Sequence, residues 1–212
     1  MRIPEPTLDG VAEARKKFIE QVDPTNLFYR AATKLVELAL SEAREADSLT
    51  LAEAVGVLLK TWNDGFYRFG HAKFDKEHLG KIQELMDSPE LNLLSFRERS
   101  LESLHSEEES SIKTIFESFE KVLGTIGAAK CLHLLAPQFF PLWDRDIAHG
   151  YQIYPQKRGT NGENYVKFVN KTREQIEKLK REGFRYEDSL KALDEYNWIH
   201  AHQNKRRKSR QP

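Results

Sequence analysis

Residues 106–135, SEEESSIKTIFESFEKVLGTIGAAKCLHLL, decide the fold. Ile112, Ile115, Phe116, Phe119, Val122 and Leu123 recur at the three-to-four spacing that lines one side of an α-helix. Ser106 followed by Glu109 has the form of a capping box, in which the hydroxyl accepts from the Glu109 N–H and the carboxylate reaches back. Gly124 and Gly127 then bracket a tight connection into an apolar helix from about 128 to 135. The same period extends upstream through helices at 8–22, from Asp23-Pro24 to about Asp47, at 50–62, and from an Asp75 N-cap to Asp87. Short helices joined by turns are expected over 89–104. Downstream, Pro137 and Pro141 frame a loop ending at Trp143-Asp144, where a short helix to about Tyr151 starts. An irregular loop, 152–162, separates it from helices near 163–182 and 186–203. No stretch alternates apolar and polar residues between hairpin turns. The predicted fold is all-α: one compact multi-helix domain of about ten helices over 1–203. It carries a helix-hairpin-helix-like element near 112–135, and a disordered basic tail at 204–212.

With 212 residues, 39% hydrophobic and 31% charged, the chain can bury a real core and cover it with charge. No run approaches the roughly 18 apolar residues of a membrane span, and the start MRIPEP lacks an apolar signal core. A soluble, intracellular, cytoplasmic protein with no membrane partner is expected. A single cysteine, Cys131, excludes an internal disulfide and a Cys-rich zinc site, as suits a reducing compartment. No metal and no cofactor are expected. Cys131 and His133 point apart at i,i+2 on a helix, and no Walker loop, dinucleotide fingerprint or HExxH occurs. The zero net charge conceals two halves. Residues 1–123 hold 16 Lys and Arg against 23 Asp and Glu, whereas 124–212 hold 17 against 10. Either the basic half, with its tail cations Lys205, Arg206 and Arg207, meets DNA or another polyanion, or the halves pack on each other by complementary charge.

Residues that carry chemistry cluster in 119–151, FEKVLGTIGAAKCLHLLAPQFFPLWDRDIAHGY. Backbone N–H groups at Ile126, Gly127 and Ala128 would stand at a helix N-terminus, where an anion is favoured. The other reading is that the glycines only let two helices turn closely. Lys130 either neutralises that anion, acts as a desolvated nucleophilic amine, or is merely solvated. Asp144 is either a functional carboxylate or the N-cap of the helix after it. Trp143 either stacks on a base or belongs to a core with Phe139, Phe140, Leu142 and Ile147. Trp62, Phe66, Tyr67 and Phe69 form either a ligand pocket or an aromatic corner of the core.

The order amphipathic helix, glycine hairpin, apolar helix, proline-bounded loop, carboxylate at a helix start resembles the helix-hairpin-helix region of the DNA glycosylase superfamily. That resemblance implies hairpin amides on a DNA phosphate, a lysine just after the hairpin as nucleophile of the bifunctional members, and an essential aspartate. Here Gly127 would be the second hairpin glycine, Lys130 the lysine and Asp144 the aspartate. Thr125 stands where the first glycine would be, Lys130 comes one position late, and the interval to Asp144 is several residues short. The candidate catalytic residues are Asp144 and Lys130. The candidate nucleic-acid-binding residues are Thr125, Gly127, Ala128, Trp143, Arg145, Lys157, Arg158, Lys205, Arg206 and Arg207. A nucleic-acid-binding protein of helix-hairpin-helix type, or a divergent base-excision DNA-repair enzyme, is the first expectation. The alternative is a non-enzymatic helical structural or interaction module that binds a protein partner or forms a homodimer. The first requires Gly127, Lys130, Arg145 and part of the 155–162 loop to share an exposed face; the second lets them be scattered or buried.

Overall fold

Nine α-helices and three short 3-10 turns make up the regular structure of residues 2–41 and 48–208, which the computed structural model describes, with side chains as far as His202. The helices are α1 (Leu8–Gln21), α2 (Leu27–Ser41), α3 (Leu51–Trp62), α4 (Asp64–Arg68), α5 (Lys76–Met86), α6 (Glu109–Leu135), α7 (Arg145–Gly150), α8 (Gly162–Arg181) and α9 (Ser189–Lys208). The all-α reading holds, and among the described residues no helix is long and apolar enough to cross a membrane. The continuation of α2 to Asp47 lies outside the described residues.

Helix starts follow side-chain oxygen. Thr7 accepts from the Gly10 N–H at 3.1 Å, and Asp75 from the His78 N–H at 3.0 Å. Thr50 and Glu53 close a reciprocal box, with Glu53 N–H to Thr50 Oγ1 at 3.2 Å and Thr50 N–H to Glu53 Oε2 at 2.9 Å. The box expected from Ser106 and Glu109 is displaced by one residue: Glu108 accepts from the His105 N–H at 3.0 Å, and Ser106–Glu108 is a 3-10 turn ahead of α6. Arg99 explains the shift. Its guanidinium holds both Glu108 oxygens, at 2.6 and 2.8 Å, and with the His105 N–H keeps that carboxyl down to a pKa of about 2.

The connection expected between Gly124 and Gly127 is narrower than the sequence suggests. Gly124 alone, at φ 69° and ψ 169°, interrupts α6; Gly127 already lies inside the second segment. That break leaves the carbonyls ending the first segment without helical partners. Arg158 supplies donors from the 152–162 loop: Nε to Glu120 O at 3.2 Å, and Nη2 to Lys121 O and, at 3.1 Å, Val122 O. Asn63, just after α3, gives its Nδ2 to Leu123 O at 3.2 Å. Below them the buried Glu120 carboxylate accepts from Asn161 N and Nδ2 at 3.1 and 2.6 Å and from Thr125 Oγ1 at 2.6 Å. The residue after α3 and the 152–162 loop, both distant in sequence, are thereby tied to the turn of α6 before Gly124.

The core gathers around α6. Phe116, Phe119, Cys131, Leu132 and Leu135 are buried in it, and Phe116 stacks on Tyr165 of α8 at 4.0 Å between centroids. Helix α9 packs on α1, and α3 on α2 and α5. Acidic and basic halves do meet: Glu5 pairs with Lys171 at 2.5 Å, and Glu102 with Lys180. Such exposed pairs each contribute at most about 1 kcal/mol, so they orient rather than hold the halves. The final helix runs through Lys208, so Lys205, Arg206 and Arg207 lie on α9 rather than in an irregular segment beginning at 204.

A Cβ at Gly127 would lie 2.5 Å from Asn63 Nδ2 and 2.9 Å from Leu123 Cβ. Gly127→Val is therefore expected to lower stability by about 1–3 kcal/mol, the usual cost of overpacking. Denaturant midpoints measure it, and an unchanged midpoint would mean that Asn63 yields without loss.

Candidate active site

Trp62 closes α3, and its surroundings fix it. Its indole lies nearly parallel to the Tyr29 ring, 5.9 Å between centroids at 10°. His133 Nδ1 lies 2.8 Å from Phe140 O; a carbonyl can only accept, so Nδ1 carries the hydrogen and Nε2 accepts from the Tyr29 hydroxyl at 2.9 Å. Burial lowers the His133 pKa to about 4, so the ring stays neutral at physiological pH and the chain Phe140–His133–Tyr29 keeps one pattern of donors.

The Trp62 carbonyl accepts from Lys130 Nζ, which also sits 5.6 Å from the indole centroid. Burial lowers the Lys130 pKa to about 8, while Asp144 and Asp194 act in the opposite sense. A second lysine approaches the same indole: Lys191 Nζ is 5.8 Å from Trp62 and 4.5 Å from the Phe18 ring, on a side chain only 1% exposed. Lys191 is held by Glu195 at 3.2 Å and Asp194 at 3.5 Å. Burial raises the Asp194 pKa to about 6 against the pull of Lys191, with Asp144 and Glu195 adding to the rise. Asp144 accepts from the Ile147 N–H at 2.8 Å and so caps α7.

These groups border one cavity of about 490 Å³, walled by Trp62, Trp143, Trp198, Phe18 and Phe28, with Lys130, Lys191, Asp144 and Asp194 on its lining. That volume lies in the range of small-molecule pockets, and apolar walls with few polar groups are their usual character. Lys130 and Asp144, paired by the sequence, meet here. Their aromatic neighbour departs from expectation: Trp143 is 2% exposed, among Phe116, Tyr165 and Phe168 at 5.6–6.1 Å, and is a core wall of the cavity instead of an open stacking platform.

A second cavity of about 520 Å³ shares Trp62 and is lined by Phe66, Phe69, Thr125, Ile126, Arg145 and Pro155 among others. Thr125 and Arg145 thus stand next to the Lys130 cavity, with Arg145 exposed. Gly127 and Ala128 are buried, Gly127 against Asn63, so neither offers its surface to a partner. Arg158 turns to the α6 carbonyls and to the Phe66 ring, 5.0 Å from its centroid; Lys157 is exposed in the loop. Lys205, Arg206 and Arg207 lie beyond the last described side chain. Lys191, Asp194 and Trp198 escape the sequence reading, although their i, i+3, i+7 spacing sets them on one face of α9. Among the described residues no group of three or more His, Cys, Asp or Glu could hold a metal ion.

The Lys130 amine should titrate at about 8, against 10.5 for an ordinary lysine, when followed by NMR of the methylated side chain. Because folding lowers this pKa, the penalty for burying the ammonium is present below pH 8 and is relieved as pH rises towards 10.5. Lys130→Met should flatten the rise in stability across that window. Asp144→Asn should leave stability within about 1 kcal/mol, since Asn caps nearly as well as Asp, whereas Asp144→Ala should cost about 1 kcal/mol. Loss of the Asp144 charge should move the titrations of both Lys130 and Asp194 downward; an upward move of either would contradict the electrostatic picture. No family model, curated protein or solved structure matches this chain.

Proposed function

We propose that the Lys130 cavity receives a single nucleobase extruded from a nucleic-acid strand, and that the protein is a base-excision repair enzyme of the cytoplasm. One observation carries the reading: an amine with a depressed pKa, three aspartates (Asp23, Asp144 and Asp194) and three indoles converge on one cavity. At pH 7 a lysine of pKa about 8 holds roughly a tenth of its molecules as free amine, some hundreds of times more than an ordinary lysine. In this mechanism Lys130 Nζ attacks the sugar C1′, forming an N–C bond as the glycosidic C1′–N bond breaks. Its electron pair leaves on the base, which is protonated as it departs. Asp194, whose carboxyl is protonated near pH 6, is suited to give that proton. Asp144 opposes the positive charge that develops at C1′ and on the amine. The nitrogen then gives up a proton, and as its lone pair forms the C1′=N bond the C1′–O4′ bond breaks and O4′ takes up a proton, leaving an iminium on Lys130 and an open sugar with a 4′-hydroxyl. Thr125 and Arg145 border the neighbouring cavity, where the strand would continue.

The interaction-module alternative has its own observations: Asp144 is already satisfied as a cap, and Gly127 is a buried packing position, so the exposed face it was expected to share with Lys130, Arg145 and the 155–162 loop is not formed. Borohydride trapping separates the two. The full chain is incubated with labelled oligonucleotides carrying oxidised, deaminated, alkylated or abasic residues. A covalent adduct should form, at a rate that is highest between about pH 6 and 8, where a free Lys130 amine and a protonated Asp194 coexist, and falls on either side, and it should vanish in Lys130→Ala. Base release should be abolished in Asp144→Asn. Neither adduct nor release from any substrate, with no retention on nucleic acid at about 50 mM salt, would reject the enzyme in favour of the module.

A further inference from the structure

We infer that the partner strand is single-stranded, its base next to the extruded one stacking on Phe69 and its phosphates passing on to a basin of cations beyond. The inference rests on nucleic acid being the ligand of the Lys130 cavity and adds the strand state and its path. Three cavities lie in series. The first and second share Trp62, and the second shares His71 with a third of about 360 Å³. Phe69, on the second, is 71% exposed, with the Arg68 guanidinium 5.1 Å from its ring centroid. Beside it Phe66 stacks on His71 at 5.5 Å.

Charge in the third cavity completes the pattern. Lys73, Lys81, Lys121 and Arg158 face it, against Asp75 and Glu77. Asp75 caps α5, and Glu77 is bound to Lys81 at 2.7 Å. Lys73, Lys121 and Arg158 have no ion pair among the described residues; the hydrogen-bond partners of Arg158 are carbonyls. His78, buried against the Tyr67 hydroxyl, has its pKa lowered and adds no charge at neutral pH. Aromatic surface followed by unpaired cations matches the alternation of base and phosphate along a strand. A duplex keeps its base faces stacked on one another, so only an unpaired strand can offer a base to Phe69.

Fluorescence anisotropy of the full chain tests this, with a labelled 12-nucleotide oligo-dT and a duplex of the same length. The single strand should bind more tightly. Phe69→Ala should weaken it about tenfold, the loss of one base–aromatic stack, without changing duplex binding. Lys73→Gln with Lys121→Gln should reduce the salt-dependence slope by about 1.4, since each single-strand phosphate contact contributes about 0.7. All three side chains are exposed, and an unchanged melting temperature verifies the fold. Equal or tighter duplex binding, or a Phe69→Ala variant that binds the single strand as the parent does, would overturn the inference. Borohydride trapping by these variants separates the outcomes: adduct on duplex with no effect at Phe69 removes the strand path alone. Phe69-dependent strand binding without any adduct removes the excision chemistry alone.

Discussion

A helix interrupted in the interior must find donors for the carbonyls it leaves open, and that requirement organises this protein around Gly124. Gly124, with its positive φ, breaks the helical path of α6, and the carbonyls of residues 120–123 just before it all accept from side chains of other elements. Donors come from Asn63, after α3, and Arg158, in the loop before α8, while Asn161 and Thr125 satisfy the Glu120 carboxylate underneath. The α3–α4 junction, the 152–162 loop and the second segment of α6 are therefore fixed by one set of hydrogen bonds. All three border the second cavity, through Phe66, Pro155 and Thr125. The fold's need to terminate a helix and the placing of a groove are one event.

The first cavity follows a different logic, in which charge is put where it costs most. Lys191 is nearly inaccessible and Lys130 is depressed to a pKa of about 8, so each would be expensive alone. Lys191 is compensated by Asp194 and Glu195 one turn along α9, and Arg15 reaches Glu195 at 3.5 Å from the α1 side. Among the described residues no carboxylate forms an ion pair with Lys130; its direct partners are the Trp62 carbonyl and ring. Two lysines thus approach one indole, Lys191 paired with carboxylates and Lys130 favoured by burial towards its neutral amine. The neutral His133–Tyr29 link behind Trp62 allows this, because an imidazolium there would add a third positive charge.

Much of this was legible in the sequence, for identifiable reasons. The helical period and the Asp75 and Asp144 caps depend on neighbours within four residues, and local rules reach that far. The capping box at Glu109 failed because Arg99, ten residues upstream, draws in Glu108 instead. The meeting of Lys130 with Asp144 was suggested by a resemblance in residue order, whereas Lys191 and Asp194 come from a helix 60 residues beyond Lys130 and carry no motif. Gly127 illustrates the limit in the other direction. A glycine three residues past another reads as part of a turn, and only the approach of Asn63 from α3 makes it a packing position within a helix.

The second segment of α6 joins the two cavities by its own geometry. Thr125, at its start, borders the second cavity, and Lys130 the first. Five residues of helix at 1.5 Å each separate them by about 7.5 Å along the axis, with Trp62 common to both spaces. Helices are stiff at this length, and Ala128, Ala129, Cys131 and Leu132 are fully buried between the two ends, so the separation cannot breathe without disturbing the core. A ligand gripped in one cavity is thereby held at a set distance from the amine in the other. Precision of this kind is what an attacking amine requires, since displacement of a reacting group by about 1 Å can cost a hundredfold in rate. In the proposed reaction the amine sits on this rigid segment, Phe66 and Phe69 on α4 and just after it, and the cations Lys73, Lys121 and Arg158 on the loop after α4, on α6 and in the 152–162 loop, so that reacting atom, base and phosphate would each be met by a different element.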